Sequence, residues 1–187
     1  MNDAYYQQKL FVAEVDKNDS VVGEVERWKA HKEGILHRGF TTILGYQEKY
    51  LLQHRKHIAF DKYWDFTFSS HQLYNNDKLQ TDLDAIYQSL SREWNLDKYD
   101  LIKTPKKLGI VYYKAKDPDS IFTEHEFDYI YYSELKKLPQ PNADFTYGYK
   151  LISSVDEIEK LGNSMVLAPW VTEIIKNISI PNLLTID

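Results

Sequence analysis

Lys9 to Val15 and Val21 to Arg27 are apolar-rich and β-prone, and Asn18 with Asp19 makes a turn between them, so the chain is expected to open on a hairpin. Arg38 to Tyr46 (RGFTTILGY) and Tyr50 to Arg55 (YLLQHR), joined across Gln47 to Lys49, predict a second strand pair. Lys107 to Lys114 and Glu126 to Tyr132 predict two more strands, the latter with alternation in Phe127, Tyr129 and Tyr131. Between these pairs, Leu83, Ile86, Tyr87, Leu90 and Trp94 recur at helical spacing. They predict a helix from about Thr81 to Trp94, with Thr81 as cap and Asp82 and Asp84 suited to the dipole of its first turn. Ser154 and Glu157 have capping-box spacing for a second helix, and a third is expected from near Pro169 to about Ile178. Strands, a helix, more strands and closing helices predict an α/β (α+β) fold, a mixed sheet with helices on its faces.

Composition narrows the picture. A chain of 187 residues, 43% hydrophobic and 27% charged, can bury one core without metal or disulfide staples, so a single domain over 1–187 is expected. Pro139 to Asn142 is the most loop-like stretch and is too short to separate domains. A net charge of -5 gives no long-range attraction for nucleic acid or an anionic membrane, so neither is an expected partner, whereas a local basic pocket can still take a small phosphate. With no cysteine, disulfides, thiolate metal sites and cysteine nucleophiles are excluded. The first residues lack the basic and apolar regions of a secretory signal, and no stretch approaches the ~18 apolar residues of a spanning helix. A cytoplasmic location without membrane insertion is therefore expected, as a monomer or homodimer.

His31 and His37 bracket AHKEGILH, just before a strand; on spacing alone, two such histidines sit on surface loops more often than on a metal. His71, in FSSHQL, reads by itself as a structural polar residue. Glu124 and Glu126 lie at i and i+2 of EHEFDYI, so strand periodicity puts both carboxylates on one face and His125 on the other. Exposed edge-strand carboxylates are the commoner case of that pattern. If the three histidines converge on the two glutamates, however, three nitrogens and two carboxylates make a site for zinc or manganese. Glu93, near the helix end, can hold magnesium together with diphosphate oxygens, and a solvent-facing glutamate is an equal alternative. Arg55 can clamp a phosphate, though a solvated strand-end arginine is commoner. His54, Lys56 and His57 read as loop residues.

Taken in order, GILHRGF (Gly34 to Phe40), LLQHR (Leu51 to Arg55), SSHQL (Ser69 to Leu73), YKA (Tyr113 to Ala115), EHEFDYI (Glu124 to Ile130) and APW (Ala168 to Trp170) resemble the type I isopentenyl-diphosphate isomerases over about residues 20 to 175. The resemblance implies a Nudix fold, a mixed β-sheet sandwiched between α-helices, and a small isoprenoid diphosphate as substrate. It implies that His31, His37, His71, Glu124 and Glu126 bind a first divalent metal, Zn2+ or Mn2+, and that Glu93 binds Mg2+ with the diphosphate. Arg55 and a lysine, Lys62 or Lys56, are implied on the phosphates. Glu126 and Tyr113 would work in proton transfer at one end of the allylic unit, and Trp170 would lie over the carbon skeleton, its ring stabilising a tertiary carbocation.

The chain departs from the family's pattern at several positions. Ser69 stands where the family uses a cysteine, and an alcohol needs a neighbouring base or metal before it can act as the second acid/base group. Ser89 replaces a usual basic residue one helical turn before the glutamate, the loop after Arg55 is shorter, and Gln72 follows His71 in place of proline. The first expectation is an isomerase interconverting isopentenyl and dimethylallyl diphosphate, with Ser69 or a water in the cysteine's role. The second is a Nudix hydrolase of a diphosphate, but of Arg-Glu-x-x-Glu-Glu-x-Gly the stretch Gln88 to Asn95 keeps only Glu93 of the acidic set. The third is a non-catalytic protein that binds isoprenoid diphosphates, which Ser69 and Ser89 would permit.

Overall fold

β3 (His37–Tyr46) is the strand around which the sheet is built. The computed structural model describes residues 3–161 and 164–181. A short helix, α1 (Asp3–Tyr6), precedes the hairpin of β1 (Phe11–Val15) and β2 (Val21–Glu26). Helix α2 (Arg27–Glu33) then leads into β3, and β4 (Lys49–Arg55) and β5 (Trp64–Asp65) follow. β6 (Phe68–Ser70) and a small hairpin, β7 (Tyr74–Asn75) with β8 (Lys78–Leu79), come before α3 (Asp82–Trp94). β9 (Lys106–Lys116), β10 (Thr123–Glu134) and β11 (Thr146–Ile152) complete the sheet, followed by α4 (Val155–Leu161) and α5 (Pro169–Asn177).

β10 runs parallel to β3, with Glu126 opposite His37 and Glu134 opposite Gly45, and is antiparallel to β9 on its other side. β6 pairs antiparallel with β3 over Phe40 to Thr42, and β4 carries β5 and β11. The sheet is thus mixed, as expected. Alternation along β3 and β10 divides the core. Phe40, Leu44 and Tyr131 pack against Ile86, Leu90 and Trp94 of α3, while Ile43 and Ile130 pack against Trp170, Val171 and Ile174 of α5. Helices therefore cover both faces, and the chemistry lies on the α5 face.

Three local expectations change. Arg27 ends no strand but opens α2, because the Glu26 carboxylate accepts from the amides of Trp28 and Lys29 and stops β2. β3 and β4 pair only at Gly45–Tyr50 and Tyr46–Lys49; beyond that turn β4 diverges to join β11, a strand that the sequence pattern did not indicate. At α4, Ser154 Oγ accepts from the Glu157 amide (3.2 Å), but the returning Glu157 carboxylate takes the amide of Ser153, one residue early for a capping box.

Thr81 caps α3 as expected, accepting from the Asp84 amide at 3.2 Å. Thr81→Ala is predicted to lower stability to urea by about 1 kcal/mol. An unchanged midpoint would show that tertiary packing alone fixes the start of this helix.

Candidate active site

β10 is an interior strand, flanked by β3 and β9, so Glu124 and Glu126 are buried, each 6% exposed. The exposed-edge alternative is thereby overturned, while their common face holds: His125 points away, its Nδ1 2.8 Å from the Gly34 carbonyl. His37 enters from the paired β3, His31 from α2, and His71 from the residue just after β6. α2 ends at Gly34, which takes the left-handed backbone (φ 63) that turns the chain back into β3. Gly39 has the other backbone role: a Cβ there would lie 2.5 Å from Glu126 Oε1, so a bare backbone leaves the room that this carboxylate occupies.

The ligand atoms of the five residues lie within 4.8 Å of one another. His31 Nε2 is 3.0 Å from Glu124 Oε2, and His71 and His37 Nε2 are 2.8 and 3.3 Å from Glu126 Oε1. A carbonyl oxygen only accepts, so His31 Nδ1, 2.6 Å from the Arg27 carbonyl, and His37 Nδ1, 2.7 Å from that of Ile35, carry the ring protons. Their Nε2 atoms then present lone pairs inward, the orientation that metal-binding imidazoles take. Burial brings His71 down to about 4, so it is neutral, and its Nε2 faces that of His37 at 3.2 Å. Burial would likewise discharge His31, but Glu124 outweighs it and raises the ring's affinity for a proton. Despite burial, His37 and His71 hold Glu126 well below the usual carboxylate range. Two buried anions facing imidazole lone pairs call for a cation, and the donor set fits a divalent one.

These residues form one wall of a cleft with about 560 Å³ of empty space, its open mouth included. The Tyr113 hydroxyl donates to Glu126 Oε2 at 2.5 Å, and Tyr113 lies 5.8 Å from the ring of Trp170. Ser69 reaches the cleft from β6, which borders β3 on the side opposite β10. Its Oγ is 2.8 Å from Thr41 Oγ1, which in turn donates to Asp128 Oδ2 at 2.8 Å. Burial and the neighbouring Glu126 push the Asp128 carboxyl well above the usual carboxylate range.

Arg55 lines the cleft: its Nη1 donates to Asp65 Oδ2 at 2.7 Å, its guanidinium lies 4.9 Å from the Trp170 ring, and its Nε is buried without a partner. The Trp170 indole donates to the other Asp65 oxygen at 2.7 Å. Lys62 is exposed on the turn before β5, and neither it nor Lys56 lines the cleft; the Lys56 ammonium donates to the Ala143 carbonyl. Glu93 is fully buried. Its Oε1 accepts from Arg92 (2.7 Å), its Oε2 from Gln53 (3.1 Å), and His57 Nε2 lies 3.7 Å away. Burial alone would raise Glu93, but His57 and Arg92 bring it down to about 2; burial also lowers His57, to about 4. A carboxylate enclosed by donors does not fit a hydrated magnesium ion, so the magnesium expected there is not supported by this geometry.

Sequence reasoning missed Arg27, Arg92 and His57, all of which line the cleft. His57 was expected in a loop, which is where it sits, but the loop folds inward. The signal for Arg92 was its place beside Glu93 on α3; nothing in the pattern distinguished Arg27 from a solvated arginine.

The structure has a Nudix-type fold and carries a histidine–carboxylate cluster. The structure aligns with the DR0079 protein of Deinococcus radiodurans at a TM-score of 0.66, with 14% identity, covering 89% of this chain and 97% of that one. It aligns with a MutT NUDIX hydrolase of Burkholderia pseudomallei at 0.57, also with 14% identity, covering 77% and 98%. No family model matches. Sequence likeness is more particular: 31% identity to isopentenyl-diphosphate Delta-isomerase of Pectobacterium atrosepticum over 77% of this chain and 76% of that protein. Identity is 31% to isopentenyl-diphosphate Delta-isomerase 1 of Mus musculus, covering 83% and 76%. It is 30% to the chloroplastic isopentenyl-diphosphate Delta-isomerase I of Arabidopsis thaliana, covering 94% and 68%. The chain belongs to the isopentenyl-diphosphate Delta-isomerase family.

His71→Ala is predicted to weaken zinc binding by more than about tenfold, since even the outer partners of metal ligands are worth about 10–100-fold. Gly39→Ala, which displaces Glu126, acts in the same direction. Competition titration against a chromogenic chelator measures both, with circular dichroism as the folding control; wild-type affinity in both variants would mean that the cluster holds no metal.

Proposed function

We propose that this protein interconverts isopentenyl and dimethylallyl diphosphate. The observation that carries the proposal is the contact of Tyr113 with Glu126 at the histidine cluster, beside the Trp170 ring and in the same cleft as Ser69. The reaction adds a proton to the terminal methylene carbon, leaving a tertiary cation, and removes a proton from the carbon on the other side of that centre. One proton enters, one leaves, and the diphosphate stays intact. Two proton-carrying groups and a water-poor pocket are required.

Tyr113 donates to Glu126 across a 2.5 Å hydrogen bond, and the pair serves one end of the allylic unit. Burial and the facing Glu126 hold the Tyr113 hydroxyl well above its ordinary range, which keeps it a donor. Ser69 serves the other end. Its hydroxyl is oriented by its contact with Thr41, whose own hydroxyl donates to Asp128. The indole of Trp170, fixed by Asp65, presents a π face to the cationic centre. His31, His37, His71, Glu124 and Glu126 would hold a zinc or manganese ion, whose charge balances the two buried carboxylates. Hydrolysis ranks second, because the α3 face near Glu93 offers Ser89 and Arg92 in place of further carboxylates.

Proton NMR of isopentenyl diphosphate in heavy water, with zinc- or manganese-loaded protein and phosphorus NMR of the same tube, tests this reading. Deuterium is expected in the carbon skeleton with the diphosphate intact; phosphate release without exchange would replace isomerisation by hydrolysis. Glu126→Gln and Tyr113→Phe are expected to slow the reaction by roughly 10²–10⁴-fold. Ser69→Cys is expected to raise the rate, and an unchanged rate in the folded variant would remove Ser69 from the acid/base pair.

A further inference from the structure

We propose that this chain holds the diphosphate of its substrate with a pair of buried guanidiniums, Arg92 and Arg27, and not with magnesium on Glu93. The proposal rests on the diphosphate reading above and changes how that group is bound.

Glu93 lines the cleft, but each of its oxygens is already engaged by a protein donor. It is 0% exposed, and both of its oxygens accept from protein donors, Arg92 on one and Gln53 on the other. Magnesium demands octahedral oxygens and gives up its waters reluctantly, so binding here would need Arg92 expelled and a hydrated ion buried against His57. Among the described residues, the one grouping of three or more metal-binding side chains is the histidine cluster, and Glu93 is outside it. The positive charge that neutralises Glu93 is the Arg92 guanidinium.

The cations at this end exceed what the protein itself pairs. Arg27 is 3% exposed, and among the described residues no carboxylate lies within ion-pair distance of it. Its Nη2 donates to the Tyr5 carbonyl at 3.3 Å, and the guanidinium lies 4.2 Å from the Trp28 ring. Arg27 Nε, Arg92 Nε and His57 Nε2 are all buried without a hydrogen-bond partner, and all three residues line the cleft. An unpaired buried guanidinium is strongly unfavourable, and a planar fork of N–H groups matches phosphate oxygens two at a time. Placement supports the pairing. The Tyr5 ring lies 4.7 Å from the Arg27 guanidinium and 4.5 Å from that of Arg92, so one aromatic residue gathers both cations. Arg92 Nη2 also donates to Ser70 and Ser89, each at 3.1 Å, two small residues that leave room for it to lie across α3. With Arg92 paired to Glu93, Arg27 beside it is the buried cation left without a counter-charge, and an anion in the cleft would supply it while sharing the free N–H groups of both forks.

The test is calorimetric titration of inorganic diphosphate into the zinc-loaded protein, in magnesium-free buffer and with magnesium in excess. Binding is expected in both, with affinities within about threefold of each other. Arg92→Gln is expected to weaken magnesium-free binding by about tenfold or more, and Glu93→Gln to leave it intact or strengthen it by freeing Arg92. Binding that needs magnesium and is lost in Glu93→Gln would overturn the inference while leaving diphosphate as the ligand, as would wild-type affinity in Arg92→Gln. No binding in either buffer would overturn the diphosphate reading and this inference together. Should Arg92→Gln fail to fold by circular dichroism, Glu93→Gln decides the question, since the two readings predict opposite changes for it.

Discussion

The parallel pairing of β10 with β3 is the constraint on which this site depends. It sets Glu126 opposite His37 and Asp128 opposite Gly39, so one face of two adjacent strands carries two carboxylates, an imidazole and an empty position. That face is interior, because β9 covers the outer edge of β10 and α5 covers the layer beyond Ile130. Carboxylates placed there have no water to solvate them. Everything around them answers that requirement: imidazoles with their protons turned outward to backbone carbonyls, a tyrosine hydroxyl on Glu126, and a glycine where a side chain would push that carboxylate away.

The remaining elements can be understood by what they deliver to that face. α2 is only seven residues long, but its left-handed exit at Gly34 returns the chain at an angle that puts His31 and His37 on the same centre. β6 is three residues long and pairs beside Thr41, so Ser69 meets the Thr41 hydroxyl and His71 follows into the cluster. Trp170, in the first turn of α5, is fixed at its indole nitrogen by Asp65, whose other oxygen holds Arg55. Arg55, whose type and position suggest a phosphate clamp, is thus also tied through Asp65 to the aromatic residue of the cleft.

Much of this was legible in the chain, and the exceptions have physical causes. The opening hairpin, the capped α3 and the period-two face of β10 follow from local pattern, because each has a repeat long enough to read and a residue that ends it. α2 was hidden because β-prone residues run straight into it and its cap is a glutamate, outside the usual capping set. β11 was hidden because Tyr147 to Lys150 alternate poorly, and its place is fixed by the partner β4. The site divides in the same way. Glu124 and Glu126 on one face follow from strand geometry, and the five-residue cluster from a family pattern spread over the chain. Whether a charged group is paired is a property of tertiary contact, which is why Lys62 looked eligible and lies outside, while Arg27, Arg92 and His57 looked ordinary and lie inside.

The cleft is consequently polar along its length. At one end, two carboxylates exceed the protein's own cations unless a metal or a proton is added; at the other, guanidiniums exceed its anions. An elongated molecule with an anionic head and a carbon skeleton able to carry positive charge fits that field in one direction only. In the proposed binding mode the head lies with Arg27 and Arg92, and the skeleton then extends toward Trp170, Tyr113 and Glu126, where developing positive charge would be favoured. In that binding mode, orientation in the cleft would be set by charges fixed in the fold before any ligand arrives.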